Sequence, residues 1–371
     1  MQQPYTPTRH TTRTSPCLVQ VVQHLRPGGI EMLSLNILKH ASVPVHIISL
    51  EGDKADAIKQ WPILAAYSDQ LHFLNKPAKF RWKTVYRLRH LLDKLDATAI
   101  HSHHLGPLLY SKLARLNRPI KHVHTEHDAW HLDQLKQRWL TRLLLLMPTE
   151  LVADAEQVGQ DIQRKLGSAK PHTILNGIDT HYFCPGDAFR AKRDIDLNEE
   201  TILIGCAGRL VAEKSLDTLI DALPLLPAQY KVMVAGDGPK RTQWQQMAVD
   251  AGVSERILWL GRVDDMRQFY RDIDLFCMPS VKEGLPLALL EAQACGCSVI
   301  ASKVGAIPEL INPETGILVQ PKNSEQLANS ILHYFSRSAQ KNNAANNHRF
   351  VADKANIKTM VSQYEQLAFS H

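Results

Sequence analysis

The chain has 371 residues, 44% of them hydrophobic, and a formal net charge of +6. This length favours two globular domains over one. No apolar run reaches the roughly 18 residues that a membrane span requires, which argues against an integral membrane protein. The six cysteines form no C-x-x-C pair, so we expect buried free thiols in a reducing cytoplasm and no disulfide framework.

The positive charge is concentrated in the first half of the chain. Residues 1–180 contain 23 Lys and Arg against 15 Asp and Glu, whereas the remainder contains 20 against 22. We therefore expect the first half to face an anionic partner. The first 16 residues are polar and lack the apolar core of a signal peptide, so they are expected to form a frayed leader.

The first half alternates short apolar runs with longer amphipathic ones. Segments 30–41, 80–95 and 133–147 place apolar residues at three-to-four spacing, which predicts helices. Short runs rich in β-branched residues predict strands at 17–25, 43–51, 97–103, 120–127 and 149–155. Strand and helix in alternation indicate a parallel sheet wrapped by helices.

The same rhythm restarts after a Gly-, Asp- and Pro-rich segment, 176–200, which we interpret as a linker. Strands are predicted at 201–210, 230–239, 256–263, 273–280, 297–304 and 315–319. A polar patch, 339–349, precedes a final amphipathic stretch. We predict an α/β fold with two doubly wound domains, 1–180 and 181–354, and a tail from about 355 to 371 that packs back on the first domain. Ligands of such sheets bind at the carboxyl ends of the strands, so the site is expected in the loops there.

Three glycine turns follow predicted strands. In "GCAGRLVAEKSL", Arg209 and Lys214 flank a turn ahead of a helix, and two cations with free backbone N–H groups suit a diphosphate. Gly236 in "VAGDGP" and the pair Gly28 and Gly29 in "LRPGGIE" permit close approach of a ligand to the backbone. Solvated loop charges and plain turns remain the alternative interpretations.

The stretch "EGLPLALLEAQACG" combines two carboxylates with a helix start. Pro286 is predicted at the first helical position, and Gly296 ends the helix. Glu283 in the preceding loop and Glu291 within the helix could each accept hydrogen bonds from vicinal hydroxyls, as a sugar and a ribose would offer. The alternative is a glutamate that compensates the helix dipole and a salt-bridged surface glutamate.

With "GGIE", "GRLVAEK", "GDGP" and "EGLPLALLEA" in this order, the chain resembles the family-four (group 1) glycosyltransferases from about Cys17 to the tail. These are nucleotide-sugar enzymes with two Rossmann-like domains facing a cleft, the GT-B fold. The resemblance implies retaining transfer of a hexosyl group from a UDP- or GDP-sugar, without metal or other cofactor. A glycan or lipid-linked acceptor in surface polysaccharide or lipopolysaccharide biosynthesis is implied as well.

The resemblance also implies site residues. Arg209 and Lys214 would neutralise the donor diphosphate, Glu283 would hold the donor sugar, and Glu291 would bind the ribose. Catalytic roles fall to His103, Arg209, Lys214 and Glu283. Donor binding falls to Gly28, Gly29, Gly236, Arg262, Gly284, Leu285 and Glu291.

The chain has a high count of 18 histidines, and two clusters of them lie at 101–104 and 122–128. The second cluster approaches the H-x-H-x-D-H pattern of binuclear zinc hydrolases, and a strand would put His122 and His124 on one face, as a metal or a cleft wall would require. The resemblance instead assigns His103 to the donor sugar or the reacting region. His104, Glu126 and His127 are then acceptor contacts, and no metal ligand is expected.

The segment 76–94 holds seven Lys and Arg and one acid. It is either an ordinary packing helix with a solvated basic face or a surface for anionic lipid headgroups or a lipid-linked phosphate. It lacks an array of stacking aromatics, so no nucleic acid is expected. We expect a cytoplasmic protein in peripheral contact with the inner face of the membrane.

Three other functions stay open at this point. A nucleotide-sugar epimerase could use the same scaffold, a zinc hydrolase could use the histidines, and a non-catalytic protein could bind the sugar nucleotide. The donor sugar, its base, the acceptor, the linkage and the oligomeric state are not determined by the sequence.

Overall fold

The computed structural model describes residues 15–167, 170–187, 197–198, 200–336 and 343–370. Most of the expected leader, residues 1–14, and parts of the expected linker, residues 188–196 and 199, lie outside the described residues. The described chain forms two parallel sheets with helices between successive strands, as the alternating pattern predicted.

The first sheet has the order β3-β2-β1-β4-β5-β6-β7. Its strands are β1 (Leu18–Val22), β2 (Val45–Ser49), β3 (Leu71–Phe73), β4 (Ala99–His103), β5 (Lys121–Glu126), β6 (Glu150–Ala153) and β7 (His172–Thr173). Its helices are α1 (Gly29–His40), α2 (Lys54–Gln60), α3 (Trp82–Lys94), α4 (Leu105–Ala114), α5 (Leu135–Leu145) and α6 (Glu156–Leu166). The strand order reverses between β1 and β4, which makes their loops the switch point of this sheet.

The second sheet has the order β10-β9-β8-β11-β12-β13. Its strands are β8 (Ile202–Ala207), β9 (Tyr230–Ala235), β10 (Ile257–Gly261), β11 (Leu275–Met278), β12 (Val299–Ser302) and β13 (Ile317–Val319). Its helices are α7 (Leu216–Ala222), α8 (Arg241–Asp250), α9 (Met266–Asp272), α10 (Leu287–Ala294), α11 (Ile307–Leu310), α12 (Ser324–Ser336) and α13 (Asn343–Lys354). A last helix, α14 (Ile357–Phe369), follows α13 in the chain. Here the switch point lies between β8 and β11.

Strands such as β1, β2, β8 and β9 are mostly apolar because both faces of each sheet are covered, whereas β4 and β5 carry the buried histidines of the two clusters. All five residues of β1 are buried, and Val19, Val21, Ile48 and Ile100 share one core cluster. In the second sheet, Ile204, Val232, Cys277 and Ile300 belong to another. Strands in this environment read as apolar runs, which is why the sequence pattern located them.

Some sequence expectations were wrong in detail. The short strands β3 and β7 were not predicted. Trp82, the first residue of α3, is 68% exposed, so the packing face of the helix does not include it. No helix was predicted in the polar patch 339–349, and its described part from Asn343 onward belongs to α13; its first residues, 339–342, lie outside the described residues.

The chain divides into two compact units. One comprises Met1–Thr125, Lys136–Leu151 and Tyr364–His371, and the other comprises Glu126–Leu135 and Val152–Gln363. In the first unit, the Tyr364 hydroxyl lies 3.0 Å from Thr125 Oγ1, and Glu365 accepts a hydrogen bond from the Ser42 backbone N–H. The domain boundary at residue 180 stays a prediction.

All six cysteine thiols are free, and all except Cys184 are buried. Within the described ranges, no helix combines the length and the apolar character needed to cross a bilayer.

Candidate functional site

The loops that follow β8 and β11 meet at the switch point of the second sheet. Lys214 ends a 3₁₀ turn, Ala212–Lys214, after β8. Its Nζ lies 2.6 Å from Oε1 of Glu283, which belongs to the loop after β11. The Ser280 hydroxyl donates to the same carboxylate oxygen, also at 2.6 Å. Two predicted site residues that are 69 positions apart in the chain therefore form one ion pair. The Lys214 ammonium has further N–H donors that can bind an anion.

The aliphatic part of Lys214 lies over the strand end. A Cβ added to Gly208 would come 3.3 Å from Lys214 Cε, and Gly208 has a φ of +140°. Arg209 follows directly, and its side chain is exposed, with no hydrogen-bond or ion-pair partner among the described residues. Both predicted cations therefore lie in the segment that follows β8, with Lys214 in the ion pair and Arg209 exposed to solvent.

The backbone of the Glu283 loop is approached closely from two sides. Gly305 has a φ of +52°, and a Cβ there would lie 2.0 Å from the Glu283 carbonyl oxygen. A Cβ on Gly284 would lie 2.4 Å from the carbonyl oxygen of His127. Glycine is therefore required at both positions, and the loop is held by backbone contacts as well as by the Lys214 ion pair. Leu285, the next predicted donor contact, is partly buried.

Glu291 lies in the second turn of α10 and is partly buried. Tyr270, itself buried, donates its hydroxyl to Glu291 Oε2 at 2.8 Å. Burial raises the pKa of Glu291 to about 7, and the hydrogen bond from Tyr270 acts in the opposite direction. Pro286 is the residue before the helix and not its first residue, so that prediction was off by one position. Gly296 follows the helix with a φ of +95°, as expected.

The glycine turn at Gly236 packs against the chain itself. Gly236 has a φ of +139°, and a Cβ there would lie 2.0 Å from the Gly208 carbonyl oxygen. Its backbone N–H donates to the Gly261 carbonyl at 2.6 Å. Arg262 comes next in the chain, is exposed, and lies 3.4 Å from Asp264. The predicted close approach at Gly236 is thus met by the neighbouring strand end, and a ligand contact there stays a prediction.

At the switch point of the first sheet, Gly28 and Gly29 are exposed at the start of α1. Gly28 is extended, and a Cβ there would lie 2.4 Å from Oε2 of the buried Glu31. Glu31 Oε1 lies 3.1 Å from His24 Nδ1, and this hydrogen bond raises the pKa of His24. The sequence analysis quoted Glu31 within "GGIE" but did not identify it as a site residue.

His103 is fully buried at the end of β4. Its Nε2 lies 3.4 Å from the Ser34 hydroxyl of α1, and its ring centroid lies 4.1 Å from that of His101. His104 is exposed and has a φ of +68°, an uncommon conformation for a residue with a side chain. The loop after β4 thus presents His104 to solvent while His103 contacts α1.

The two remaining predicted residues end β5. Glu126 Oε1 lies 3.5 Å from His131 Nε2. His127 Nδ1 lies 2.9 Å from Asp154 Oδ2, and the Asn176 amide donates to the same oxygen at 3.3 Å. Burial raises the pKa of Asp154, and the hydrogen bond with His127 opposes this. Since His127 also borders Gly284, it is the predicted histidine that the structure brings against the Glu283 loop.

The other histidines of the two clusters, His101, His122 and His124, have internal partners. His122 Nε2 and His124 Nδ1 both lie within 2.9 Å of the Ser102 hydroxyl, so they share one face of β5, as predicted. His101 Nε2 lies 2.8 Å from Thr125 Oγ1. Among the residues that the structure describes, no group of three or more His, Cys, Asp or Glu side chains is arranged to hold a metal ion.

Comparison with protein-family models identifies the two halves of the chain. Residues 27–182 match the model "Glycosyltransferase Family 4", and residues 201–337 match "Glycosyl transferases group 1". The chain belongs to the family-four, group 1 glycosyltransferases. The site loops described above lie within these two matched ranges.

Curated relatives of this glycosyltransferase include two mannosyltransferases. The lipopolysaccharide core biosynthesis mannosyltransferase LpsB of Rhizobium meliloti is 31% identical over 215 residues, which cover 53% of this chain and 61% of that protein. The GDP-mannose-dependent monoacylated alpha-(1-6)-phosphatidylinositol monomannoside mannosyltransferase of Corynebacterium glutamicum is 31% identical over 174 residues, 43% of this chain and 45% of that protein. The chain therefore spans less than two thirds of the length of either relative.

Among solved structures, Anabaena HepE in complex with UDP superimposes with a TM-score of 0.84 at 20% identity, covering 95% of this chain and 98% of that one. This likeness confirms the predicted fold of two parallel α/β sheets. The matches do not support the epimerase or the zinc hydrolase as alternatives.

Several residues at this candidate site escaped sequence reasoning. Tyr270, Gly305 and Asp154 each contact a predicted residue from a different loop or helix. Ser280 contacts Glu283 within the same loop, and Asn176 contacts Asp154. The sequence offered a signal for Gly305 alone: this glycine directly follows a predicted strand, in "SKVGAIPEL".

Proposed function

We propose that the chain is a retaining glycosyltransferase that moves a sugar from a nucleoside-diphosphate donor to a glycan or lipid-linked acceptor. The observation that carries this proposal is the Lys214–Glu283 ion pair at a sheet switch point, with Arg209 exposed beside it. Two cations beside a carboxylate fit a donor whose diphosphate and sugar must be bound next to each other.

Catalysis in this proposal is mainly electrostatic. The bond between the sugar C1 and the diphosphate oxygen breaks, and negative charge grows on the diphosphate, where Arg209 and Lys214 stabilise it. The acceptor hydroxyl forms the new bond to C1 on the same face, and its proton passes to the departing phosphate oxygen. The two side-chain cations supply the charge that a metal would otherwise supply, so no metal cofactor is required.

Other residues position the donor. Glu283, with the backbone of Gly284 and Leu285, accepts hydrogen bonds from the sugar hydroxyls, and Glu291 accepts those of the ribose. Backbone at Gly28, Gly29 and Gly236 approaches the phosphates, and Arg262 lines the base. His103 contacts the donor sugar, and the acceptor is bound by His104, Glu126 and His127.

The donor is a UDP- or a GDP-sugar. The solved neighbour with UDP supports the first, and the GDP-mannose-dependent relative supports the second. The lipopolysaccharide relative supports an acceptor in surface polysaccharide assembly. We propose a cytoplasmic enzyme that reaches such an acceptor through peripheral contact with anionic membrane, with α3 and its cations as one contact surface.

A thermal-shift screen with UDP-, GDP- and ADP-sugars, with and without chelator, tests the donor proposal. We expect one nucleotide class to raise the melting temperature whether or not chelator is present. The NMR coupling of the product's anomeric proton then tests retention. A chelator-dependent shift would refute metal independence, an inverted product would refute the retaining mechanism, and no shift with any nucleotide would refute the donor class.

Lys214→Ala tests the catalytic role, with Lys231→Ala as control because Lys231 lies at the opposite end of the neighbouring strand β9. We expect Lys214→Ala to lower turnover about 100-fold and to leave acceptor binding nearly unchanged. The reverse pattern, weak acceptor binding with normal turnover, would contradict the role of Lys214 at the diphosphate.

A further inference from the structure

Helix α5 has a row of large apolar side chains on its exposed face. Trp139 is 67% exposed, Leu143 is 63% exposed, and Leu146 in the turn after the helix is 81% exposed. Their spacing of four and three residues puts them on one face. The opposite face, with Thr141 and Leu144, is buried. Both faces of α5 are thus apolar, and packing of the unit explains only one of them.

Cations border this exposed face on both sides. Helical geometry places Lys136 on one side of the Trp139 stripe and Arg142 on the other, with Arg138 beyond it. The Arg142 guanidinium lies 5.7 Å from the Trp139 ring centroid. Residues 135–145 contain no acid. A flat apolar face with tryptophan, bordered by long basic side chains that can extend away from it, is the composition of a helix that lies in a membrane interface.

The exposed face is held in place by buried contacts. Lys112 of α4 is fully buried, and its ammonium donates to the carbonyl oxygens of Met147 at 2.9 Å and Pro148 at 3.2 Å. Arg115 donates to the Pro148 carbonyl at 2.6 Å. Two buried basic side chains thus fix the chain where α5 ends, so Leu146 is presented by an ordered turn.

Charge complementarity selects the occupant of this face. In a dimer related by a two-fold axis, Lys136 and Arg142 of one copy would face the same residues of the other copy, and these like charges would repel each other. An anionic bilayer instead sets negatively charged headgroups against the basic residues and its acyl region against the apolar stripe. The excess of basic residues in positions 1–180 acts in the same direction.

We propose that α5 docks on an anionic phospholipid surface through Trp139, Leu143 and Leu146, with Lys136, Arg138 and Arg142 at the headgroups; these six residues form the α5 surface. This inference rests on the membrane contact in the proposed function and assigns it to α5 in addition to α3. It does not depend on which donor or acceptor the enzyme uses.

Vesicle sedimentation of the full chain tests the proposal. The vesicles contain phosphatidylcholine alone or phosphatidylcholine mixed with phosphatidylglycerol. We expect the wild type to bind the anionic vesicles only. We expect the triple variant Trp139→Gln/Leu143→Gln/Leu146→Gln to bind these vesicles at least about tenfold more weakly than the wild type. The control Leu225→Gln/Val249→Gln removes exposed apolar side chains from the second unit and should bind like the wild type.

Further variants separate the possible failures. Lys83→Gln/Arg87→Gln weakens the contact through α3 alone, whereas Lys136→Gln/Arg142→Gln should weaken binding and flatten its salt dependence. Equal binding by the wild type and the α5 triple variant would overturn the α5 assignment and leave the α3 contact standing.

No binding by the wild type would overturn both the α3 and the α5 contact, and donor thermal shifts would still report on the transferase proposal. A wild-type dimer that the triple variant dissociates, in sedimentation velocity, would identify α5 as a subunit interface and overturn the lipid assignment.

Discussion

Replacing Glu291 with glutamine should stabilise the protein at neutral and alkaline pH. The pKa of Glu291 is about 7 against an ordinary 4.5, so ionising the carboxyl costs the folded state at most about 3 kcal/mol. Because the side chain keeps some contact with solvent, we expect about 1–2 kcal/mol. The glutamine is nearly isosteric, and its amide oxygen can still accept the Tyr270 hydroxyl.

The sign of the effect depends on pH. Below pH 4.5 the carboxyl is protonated in both folded and unfolded chains, so Glu291 costs the fold nothing. As the pH rises from about 4.5 to 7, the unfolded chain ionises more readily than the folded one, and the wild type loses stability that Glu291→Gln retains. Urea unfolding at pH 5, 6, 7 and 8 measures the difference, which should grow with pH and level off above 7.

The same variant should bind the donor more weakly, because the ribose hydroxyls lose a carboxylate acceptor. Glu325→Gln, an exposed glutamate of α12, is the control and should change neither property. A stability difference between wild type and Glu291→Gln that is the same at every pH would refute the buried-carboxylate reasoning. Unchanged donor affinity would refute the ribose assignment.

Three further changes have expected outcomes. Gly305→Ala brings a methyl group against the Glu283 carbonyl, so we expect a displaced loop and weaker donor binding in calorimetry, whereas Gly252→Ala, with open space at its Cβ, should bind the donor normally. Ser280→Ala removes one of two donors to Glu283 and should lower kcat by about threefold to tenfold; unchanged steady-state kinetics would exclude a role for that hydroxyl. Lys112→Met leaves the Met147 carbonyl without its ammonium donor and should lower the free energy of unfolding by about 1–3 kcal/mol, which urea titration would contradict if the midpoint did not move.

The sequence predicted the sheets and the strand-end loops because both depend on local pattern. Near-continuous apolar runs identify strands covered on both faces, and the glycines mark where those strands end. Residues whose chemistry is visible in isolation, such as Lys214, Glu283 and Glu291, were selected in this way, and their roles stay predictions. Pro286 was misplaced by only one position, which is the usual uncertainty of a helix boundary.

Partners that come from other loops could not be predicted in this way. Tyr270 reaches Glu291 across 21 positions and Gly305 reaches Glu283 across 22, and both contacts depend on how neighbouring helices and strands pack. The direction in which α5 faces is a similar case. Its apolar spacing predicted a helix, but spacing alone does not say which of two apolar faces is turned to the core.

The strand order also explains why the predicted cations and carboxylates could be recognised before their arrangement was known. In the second sheet β8 and β11 are neighbours although two strands separate them in the chain, and this reversal is what brings Lys214 to Glu283. In the first sheet the reversal between β1 and β4 brings Ser34 of α1 to His103. Each reversal joins loops that are distant in sequence, so the residue types can be read locally while their pairing is set by topology.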